Sequence, residues 1–267
     1  MGRPMEPNVR GAEEFRVSSF EFRVKNLAPG TRNLEQRSGA SHLAPRTSHY
    51  LAVILLFGML SPLGISALTA EEVADKVQAT YKSFSDLQAE FVQRATNRLS
   101  GASQEASGRL LLKWPGKMRW EYEKPEPRLF LIDGKTLWSY SPVERQAVTQ
   151  DIRGALSSGP IGILFGISTL RRDFRVRAIA HAGTRDSREY LLDLAPKGED
   201  LSFKRVVLAI DRESFLIQRL TVFDLYGNTT AVDLSDLKVN GGLKDELFQF
   251  SPPPGTELVT PPKPFVR

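Results

Sequence analysis

The chain has 267 residues, of which 41% are hydrophobic and 25% charged, and this ordinary globular composition excludes a collagen-like or wholly disordered protein. It contains no cysteine, which excludes disulfides, cysteine-ligated metal centres, a cysteine nucleophile and a lipid-modified N-terminal cysteine. The formal net charge is +5, but residues 68–267 hold 28 Lys and Arg against 26 Asp and Glu, so we expect no nucleic-acid partner.

An uncharged apolar run, YLAVILLFGML, occupies residues 50–60. It is shorter than the roughly 20 residues that a membrane-spanning helix needs. Arg46 precedes the run, and the helix breaker Pro62 and the small residue Ala67 follow it. This order is typical of a secretory signal peptide, which we predict over residues 46–67. The alternative is a buried core helix of the mature protein.

The residues before this run, 1–45, are rich in Arg, Glu, Ser, Asn and Gly and show no lasting hydrophobic period. Such a composition is typical of a disordered segment. Because a signal peptide rarely begins so far before its apolar core, we also expect that translation starts near Leu43. A peptide from residues 3–37 in the unprocessed precursor would contradict that start.

A single amphipathic helix is predicted over residues 69–84. Thr69 and Glu72 have the spacing of a capping box, in which each residue bonds the other's backbone amide. Apolar residues then recur every three or four positions, at Val73, Val77, Tyr81 and Phe84. One face of this helix must therefore pack against another element.

Short β-type runs separated by turn signals follow the helix. We predict about eleven strands, near residues 88–98, 106–114, 117–123, 128–132, 136–141, 146–149, 174–181, 189–194, 204–210, 215–223 and 229–238. Asp133-Gly134 is a strong hairpin signal, since both residues tolerate positive φ. Short, evenly spaced strands indicate a mainly β protein with an antiparallel barrel or sandwich.

The segment 159–166 interrupts the strands with a glycine-rich apolar sequence, GPIGILFG. Pro160 suits the first position of a helix, and residues 168–174 have the pattern of a second short helical piece. A short apolar helix between strands is either a lid over the sheet or a core-packing helix, and the sequence leaves both open.

No catalytic or metal-binding set is recognisable in the sequence. The histidines are His42, His49 and His181, and neither a G-x-S-x-G elbow nor a phosphate-binding loop occurs. We therefore expect a protein that is not an enzyme and that needs no cofactor or metal.

Bulky apolar residues alternate along the predicted strands. They are Leu110, Leu112 and Trp114, then Met118, Trp120 and Tyr122, then Phe130 and Ile132, and then Trp138 and Tyr140. These side chains indicate either an ordinary core or an apolar ligand cavity within the sheet.

Four blocks in this order resemble the LolA family of periplasmic lipoprotein carriers. They are Phe91-Val92-Gln93, residues 113–122 (KWPGKMRWEY), residues 133–142 (DGKTLWSYSP) and residues 248–255 (FQFSPPPG). The resemblance runs from about Thr69 to Val259. It implies an incomplete, strongly curved antiparallel β-barrel of about eleven strands with an α-helical lid, formed by residues 68–267.

The resemblance also implies a function. A carrier of this family takes acylated lipoproteins released by an inner-membrane ABC transporter and shields their acyl chains in an apolar cavity. It then delivers them to an outer-membrane lipoprotein receptor. No enzymatic activity and no cofactor are implied, and we expect a monomer, since a shuttle must present its cavity to two partners in turn.

The resemblance implies acyl-chain contacts for individual residues. The full set of expected cavity residues is Tyr81, Phe84, Leu110, Leu112, Met118, Trp120, Tyr122, Phe130, Trp138, Ile161, Leu164 and Phe165. Many relatives have an arginine before the proline, which latches the lid, but this sequence has Trp114 there. Arg119 is a possible substitute, although strand alternation places it opposite Met118.

Three alternatives to a lipoprotein carrier remain at this stage. The same cavity would serve a carrier of a glycolipid or phospholipid, or a lipid-sensing or lipoprotein-sensing regulator. A lipid hydrolase would require a catalytic set that the sequence lacks.

A basic segment is either a solvated surface or a docking patch for a membrane-associated partner. Its arginines are Arg171, Arg172, Arg175, Arg177, Arg185 and Arg188.

Overall fold

The computed structural model describes residues 68–152, 160–164, 169–179, 188–198 and 203–259, all within one compact unit. The predictions for residues 1–45 and for a signal peptide over 46–67 lie outside the described residues.

The first described element is the helix α1, Ala70–Lys82. Its capping box forms as predicted: the Glu72 amide donates to Thr69 Oγ1 at 3.2 Å, and the Thr69 amide donates to the Glu72 carboxylate at 2.7 Å. These hydrogen bonds lower the pKa of Glu72 below its ordinary value. The predicted apolar stripe is buried at Val73, Val77 and Tyr81.

Twelve strands among the described residues form a single sheet. They are β1 (Asp86–Thr96), β2 (Ser103–Lys113), β3 (Lys117–Lys124), β4 (Arg128–Asp133), β5 (Thr136–Ser141), β6 (Gln146–Asp151), β7 (Phe174–Ala178), β8 (Glu189–Pro196), β9 (Arg205–Asp211), β10 (Ile217–Phe223), β11 (Thr229–Val239) and β12 (Glu257–Val259). Their spatial order is β12-β6-β5-β4-β3-β2-β1-β11-β10-β9-β8-β7.

The sheet is open and almost wholly antiparallel, which confirms the predicted fold class. Strands β1 to β6 neighbour one another in chain order, as do β7 to β11, and the two runs meet where β1 pairs with β11. Gly134, with φ of +105°, forms the predicted Asp133-Gly134 turn, where Asp133 Oδ1 accepts from the Thr136 amide at 2.8 Å. The strand that the sequence analysis lacked, β12, pairs in parallel with β6.

One buried cluster shows how the sheet curves. Leu110 and Trp120 from one half of the sheet, Leu208 and Leu220 from the other half, and Val77 of α1 belong to the same apolar cluster. Strands this far apart in the spatial order share a core because the sheet curls around it. The face that carries this cluster is called the inner face below.

Two short helices add to the inner cluster. The helix α2, Pro160–Leu164, begins at the predicted proline and contributes buried Ile163 and Leu164. The helix α3, Leu170–Asp173, contributes buried Leu170 and contacts both α1 and β7.

The opposite, outer face is also partly covered. A segment after β11 contains a 3-10 helix, Asp245–Phe248, which contacts β3 and β4. Phe248 and Leu131 are both buried there, outside the inner cluster. Asp86 holds the start of this segment by accepting from the Gly241 amide at 2.7 Å.

None of the helices in the described residues is long and apolar enough to cross a membrane.

Candidate functional site

The inner faces of β2, β3 and β4 form a continuous apolar surface. The strand register aligns Leu110 with Trp120 and Phe130 in one row, and Leu112 with Met118 and Ile132 in the next row. Most of these side chains are buried, and Phe130 is half-buried. The structure therefore brings together five residues of the expected set over these three strands, namely Leu110, Leu112, Met118, Trp120 and Phe130.

Aromatic rings pack edge to face within this surface. The ring centroid of Phe91 on β1 lies 5.2 Å from that of Trp120 and 5.1 Å from that of Tyr122. Tyr122 also contacts Phe130 at 5.9 Å. Such pairs stabilise by about 0.5–1.5 kcal/mol beyond their buried area. We call the four rings of Phe91, Trp120, Tyr122 and Phe130 the aromatic floor of the inner face.

The floor contains one polar pair. The Tyr122 hydroxyl donates to Gln93 Oε1 at 2.8 Å, and Gln93 is buried. Burial raises the pKa of Tyr122 well above its ordinary value, so the phenol is neutral at physiological pH. The Tyr122 hydroxyl thus has its partner within the inner face, and neither side chain is charged, as an apolar ligand requires.

The helix α1 lies against the other half of the inner face. It contacts β7, β8 and α3. Tyr81 near its end is buried, and the hydroxyl accepts from the Ile217 amide at 3.1 Å. Phe84, just after the helix, packs on Tyr81 with ring centroids 5.6 Å apart. Tyr81 and Phe84 thus lie at the border between α1 and the sheet.

The two residues considered for the latch lie in different places. Trp114 follows β2, is half-buried, and packs edge to face on Phe84 with centroids 6.2 Å apart. Arg119 lies on the outer face, as strand alternation predicted, and donates to the Leu247 carbonyl at 3.1 Å and to Glu121. The structure brings Trp114, and not Arg119, to the end of α1.

Trp138 is not brought together with the other expected cavity residues. Its neighbour Leu137 belongs to the inner cluster, so Trp138 points to the outer face. There it packs on Phe250, with ring centroids 5.4 Å apart. Trp138 therefore helps to hold the C-terminal segment against the sheet.

The expected residues of the segment 159–166 are partly described. Leu164 is buried within the inner cluster. The side chain of Ile161 and the whole of Phe165 lie outside the described residues. Two inner residues, Phe91 and Gln93, were absent from the expected set, and Ile132 was recognised in the apolar pattern but was not assigned to the cavity. Strand alternation with Ala89 would have pointed to Phe91.

The basic segment is partly engaged in ion pairs. Arg171 bonds Asp75 of α1 at 2.8 Å, and Arg172 bonds Asp173 at 2.7 Å. Arg185 and His181 lie outside the described residues.

No group of three or more His, Cys, Asp or Glu side chains suited to a metal ion occurs in the described part of the chain.

Solved structures of similar architecture share low sequence identity with the chain. One is a LolA superfamily protein from Nitrosomonas europaea, with a TM-score of 0.40, 15% identity, and coverage of 69% of this chain and 99% of that chain. Another is a conserved protein from Thermus thermophilus, with a TM-score of 0.48, 18% identity, and coverage of 72% and 99%.

Sequence relatives are much more similar. An outer-membrane lipoprotein carrier protein of Chromobacterium violaceum is 34% identical over 209 residues, which cover 77% of this chain and 98% of the relative. The corresponding protein of Cupriavidus taiwanensis is 30% identical over 214 residues, which cover 78% and 94%. Residues 82–251 match the family described as outer membrane lipoprotein carrier protein LolA, and the chain belongs to this family.

Proposed function

We propose that this protein carries acylated lipoproteins through the periplasm. It accepts them from an inner-membrane lipoprotein-releasing ABC transporter and delivers them to an outer-membrane lipoprotein receptor. Residues 46–67 serve as its signal peptide, residues 68–267 form the carrier domain, and the carrier acts as a monomer without catalysis. Membership of the family supports this proposal, since its relatives are named lipoprotein carriers.

The uncharged aromatic floor of the inner face is the observation that carries the proposal. It offers apolar side chains from three adjacent strands, together with the uncharged and hydrogen-bonded pair of Tyr122 and Gln93. Such a surface binds hydrocarbon and does not select for a charged or hydrogen-bonding group. The acyl-binding set is Tyr81, Phe84, Leu110, Leu112, Met118, Trp120, Tyr122, Phe130, Ile161, Leu164 and Phe165.

Energetics require that the carrier shields acyl chains only in part. One chain of about 16 carbons, fully buried at about 0.8 kcal/mol per CH₂, would contribute about 13 kcal/mol. Two fully buried chains would exceed the roughly 18–21 kcal/mol at which non-covalent affinities saturate. A carrier that captured all of this energy would not release its cargo.

In the structure, the protein's own apolar groups occupy the inner face and therefore compete with the acyl chains of the cargo. Met118 and Trp120 are already buried against the protein's own apolar groups, with exposed fractions of 1% and 2%. Cargo must therefore displace apolar groups of the inner cluster, to which α1 and α2 contribute, before its chains can bind. Closing again recovers that buried area, which keeps the net affinity low enough for a receptor to accept the cargo without an energy source.

We propose that the contact between Phe84 and Trp114 acts as the latch that must break before the inner face can open to cargo. The edge-to-face pair joins the end of α1 to the end of β2 through aromatic packing, and it stands where many relatives have an arginine. Separating the two rings would remove one contact at the end of α1, and the hydrogen bond from the Ile217 amide to the Tyr81 hydroxyl is a second contact that opening must break.

A binding assay with a matched cargo tests the proposed function. The mature protein is mixed with a purified triacylated lipoprotein or with the same lipoprotein after enzymatic removal of its acyl chains. We expect a one-to-one complex with the acylated form alone, detected by native mass spectrometry. Equal binding of both forms would contradict the proposal, and binding of free glycolipid or phospholipid in preference to the lipoprotein would replace it with a lipid carrier.

A further inference from the structure

Two adjacent hairpin turns project from one end of the sheet. Residues 97–102 join β1 to β2, and residues 224–228 join β10 to β11. Because β1 and β11 are paired, with Thr96 opposite Thr229, the two turns lie side by side. We call residues 97–102 and 224–228 together the twin-hairpin tip.

Hydrogen bonds tie the two turns to each other and fix their shapes. The Arg98 amide donates to Asn228 Oδ1 at 3.0 Å, and Asn228 Nδ2 donates to Asp224 Oδ2 at 2.7 Å. Asn97 Oδ1 accepts from the Leu99 amide at 2.9 Å. The tip is therefore ordered before it meets any partner, which lowers the entropy cost of docking.

The tip presents apolar side chains to solvent. Leu99 is 92% exposed, Tyr226 79% and Leu225 50%. Leu99 is the most exposed large hydrophobic residue in the described part of the chain, and Tyr226 is the next. Scattered exposed apolar residues are common on proteins, but here three of them lie on two hydrogen-bonded turns, and exposed apolar groups that lie together are typical of interaction sites.

The exposed charge beside this patch is that of Arg98, since Asp224, whose carboxylate brings the formal charge of the tip to zero, is buried. The side chain of Arg98 runs over Gly227, where a Cβ would lie 2.6 Å from Arg98 Cδ. Among the described residues, no carboxylate forms an ion pair with Arg98. The nearby Asp224 carboxylate is occupied within its own turn, where it accepts from the Tyr226 and Asn228 amides and from the Asn228 side chain.

We propose that the twin-hairpin tip docks on an anionic lipid surface, with Leu99, Leu225 and Tyr226 inserted at the headgroup boundary and Arg98 facing lipid phosphates. Tyrosine is enriched at this boundary because its ring is apolar and its hydroxyl is polar. Arginine is attracted to the anionic surface. Side chains that project from turns suit a fluid interface, which adapts to each of them without a preformed pocket. The inference goes beyond the proposed function because it concerns the carrier's own contact with membranes and needs no cargo.

The absence of cysteine from the sequence allows a direct test. An environment-sensitive fluorophore is attached to Leu99→Cys and, as a control, to Lys135→Cys, an exposed position in the β4–β5 turn at the other end of the strands. Cargo-free protein is added to protein-free vesicles of equal parts phosphatidylethanolamine and phosphatidylglycerol. We expect a blue shift and brighter emission from the label at position 99, and no change from the label at position 135.

Cosedimentation of unlabelled protein with the same vesicles gives the second readout. We expect Leu99→Ser/Tyr226→Ser to lower the bound fraction by about tenfold. Leu258→Ser removes a side chain that is 61% exposed on β12 and should leave binding unchanged. All three substitutions replace exposed side chains, so the fold is retained.

Three results would overturn the proposal: no spectral shift at position 99, equal shifts at both labelled positions, or unchanged binding of Leu99→Ser/Tyr226→Ser. A shift that appears only when the vesicles contain membrane proteins would assign the tip to a protein partner instead. None of these four outcomes bears on cargo binding, because no lipoprotein is present.

Discussion

At the scale of single residues, Gly108 occupies a position that admits no side chain. It lies on β2 between Phe91 and Tyr122, and a Cβ built there would be 1.8 Å from the Glu121 carbonyl oxygen. Since this neighbour is backbone, β2 and β3 would have to separate. We expect Gly108→Ala to lower the free energy of unfolding by about 1–3 kcal/mol in urea titration.

The matched control is Gly198→Ala. A Cβ at Gly198 meets no atom within 4 Å. Its substitution should change the free energy of unfolding by less than about 0.5 kcal/mol. Equal effects at Gly198 and Gly108 would show that the close approach to Glu121 does not limit β2.

Tyr81 gives a second prediction at this scale. Its hydroxyl is the acceptor for the buried Ile217 amide, so Tyr81→Phe would leave that donor without a partner. We expect a loss of about 1–3 kcal/mol of stability, measured by thermal unfolding. Tyr226→Phe, at a tyrosine that is 79% exposed, is the control and should be neutral. A neutral Tyr81→Phe would mean that the hydrogen bond does not hold α1 to the sheet.

Strand alternation predicted the sides of some residues and failed for others. It placed Arg119 opposite Met118 correctly, because charged and apolar residues alternate along β3. It could not place Trp138, because the C-terminal segment covers the outer face with Phe250 and makes both faces of β5 partly apolar. A pattern of period two loses its meaning where both sides of a strand are covered.

At the scale of elements, the 3-10 helix, Asp245–Phe248, fastens the C-terminal segment to the outer face. Phe248 is 1% exposed, whereas its neighbour Leu247 is 38% exposed. We expect Phe248→Ala to cost about 3–5 kcal/mol, because it empties a site beside β3 and β4. The measurement is the midpoint of urea unfolding.

Leu247→Ala serves as the control in the same helix. Because its side chain is partly solvated, it should cost much less than Phe248→Ala, about 0.5–1 kcal/mol. Similar costs for the two substitutions would contradict a specific role for Phe248 in anchoring the segment.

The same elements show what the sequence can and cannot predict. Eleven strands and α1 were predicted close to their observed bounds, because turn residues and hydrophobic periods are local signals. β12 was missed because it spans three residues and forms by pairing with β6, more than a hundred residues earlier. Its sequence, Glu257–Val259, is too short to carry a period.

At the scale of the whole molecule, the central claim is that one face of the curved sheet exchanges its own apolar contacts for those of cargo. The sequence predicted an apolar site but not whether it was a core or a cavity. In the structure, its residues belong to the same cluster as α1 and α2. Under the proposed mechanism, the same surface is therefore the core of the cargo-free protein and the binding site of the cargo-bound protein.

Photo-crosslinking from the two faces of the sheet tests this claim most directly. The photoreactive analogue p-benzoylphenylalanine replaces Phe130 on the inner face or Trp138 on the outer face, both of which are half-buried aromatic residues of adjacent strands. After incubation with a triacylated lipoprotein and irradiation, we expect a crosslink to the lipoprotein's acyl chains from position 130 and none from position 138. Acyl crosslinks from position 138 alone, or equally from both positions, would contradict the account.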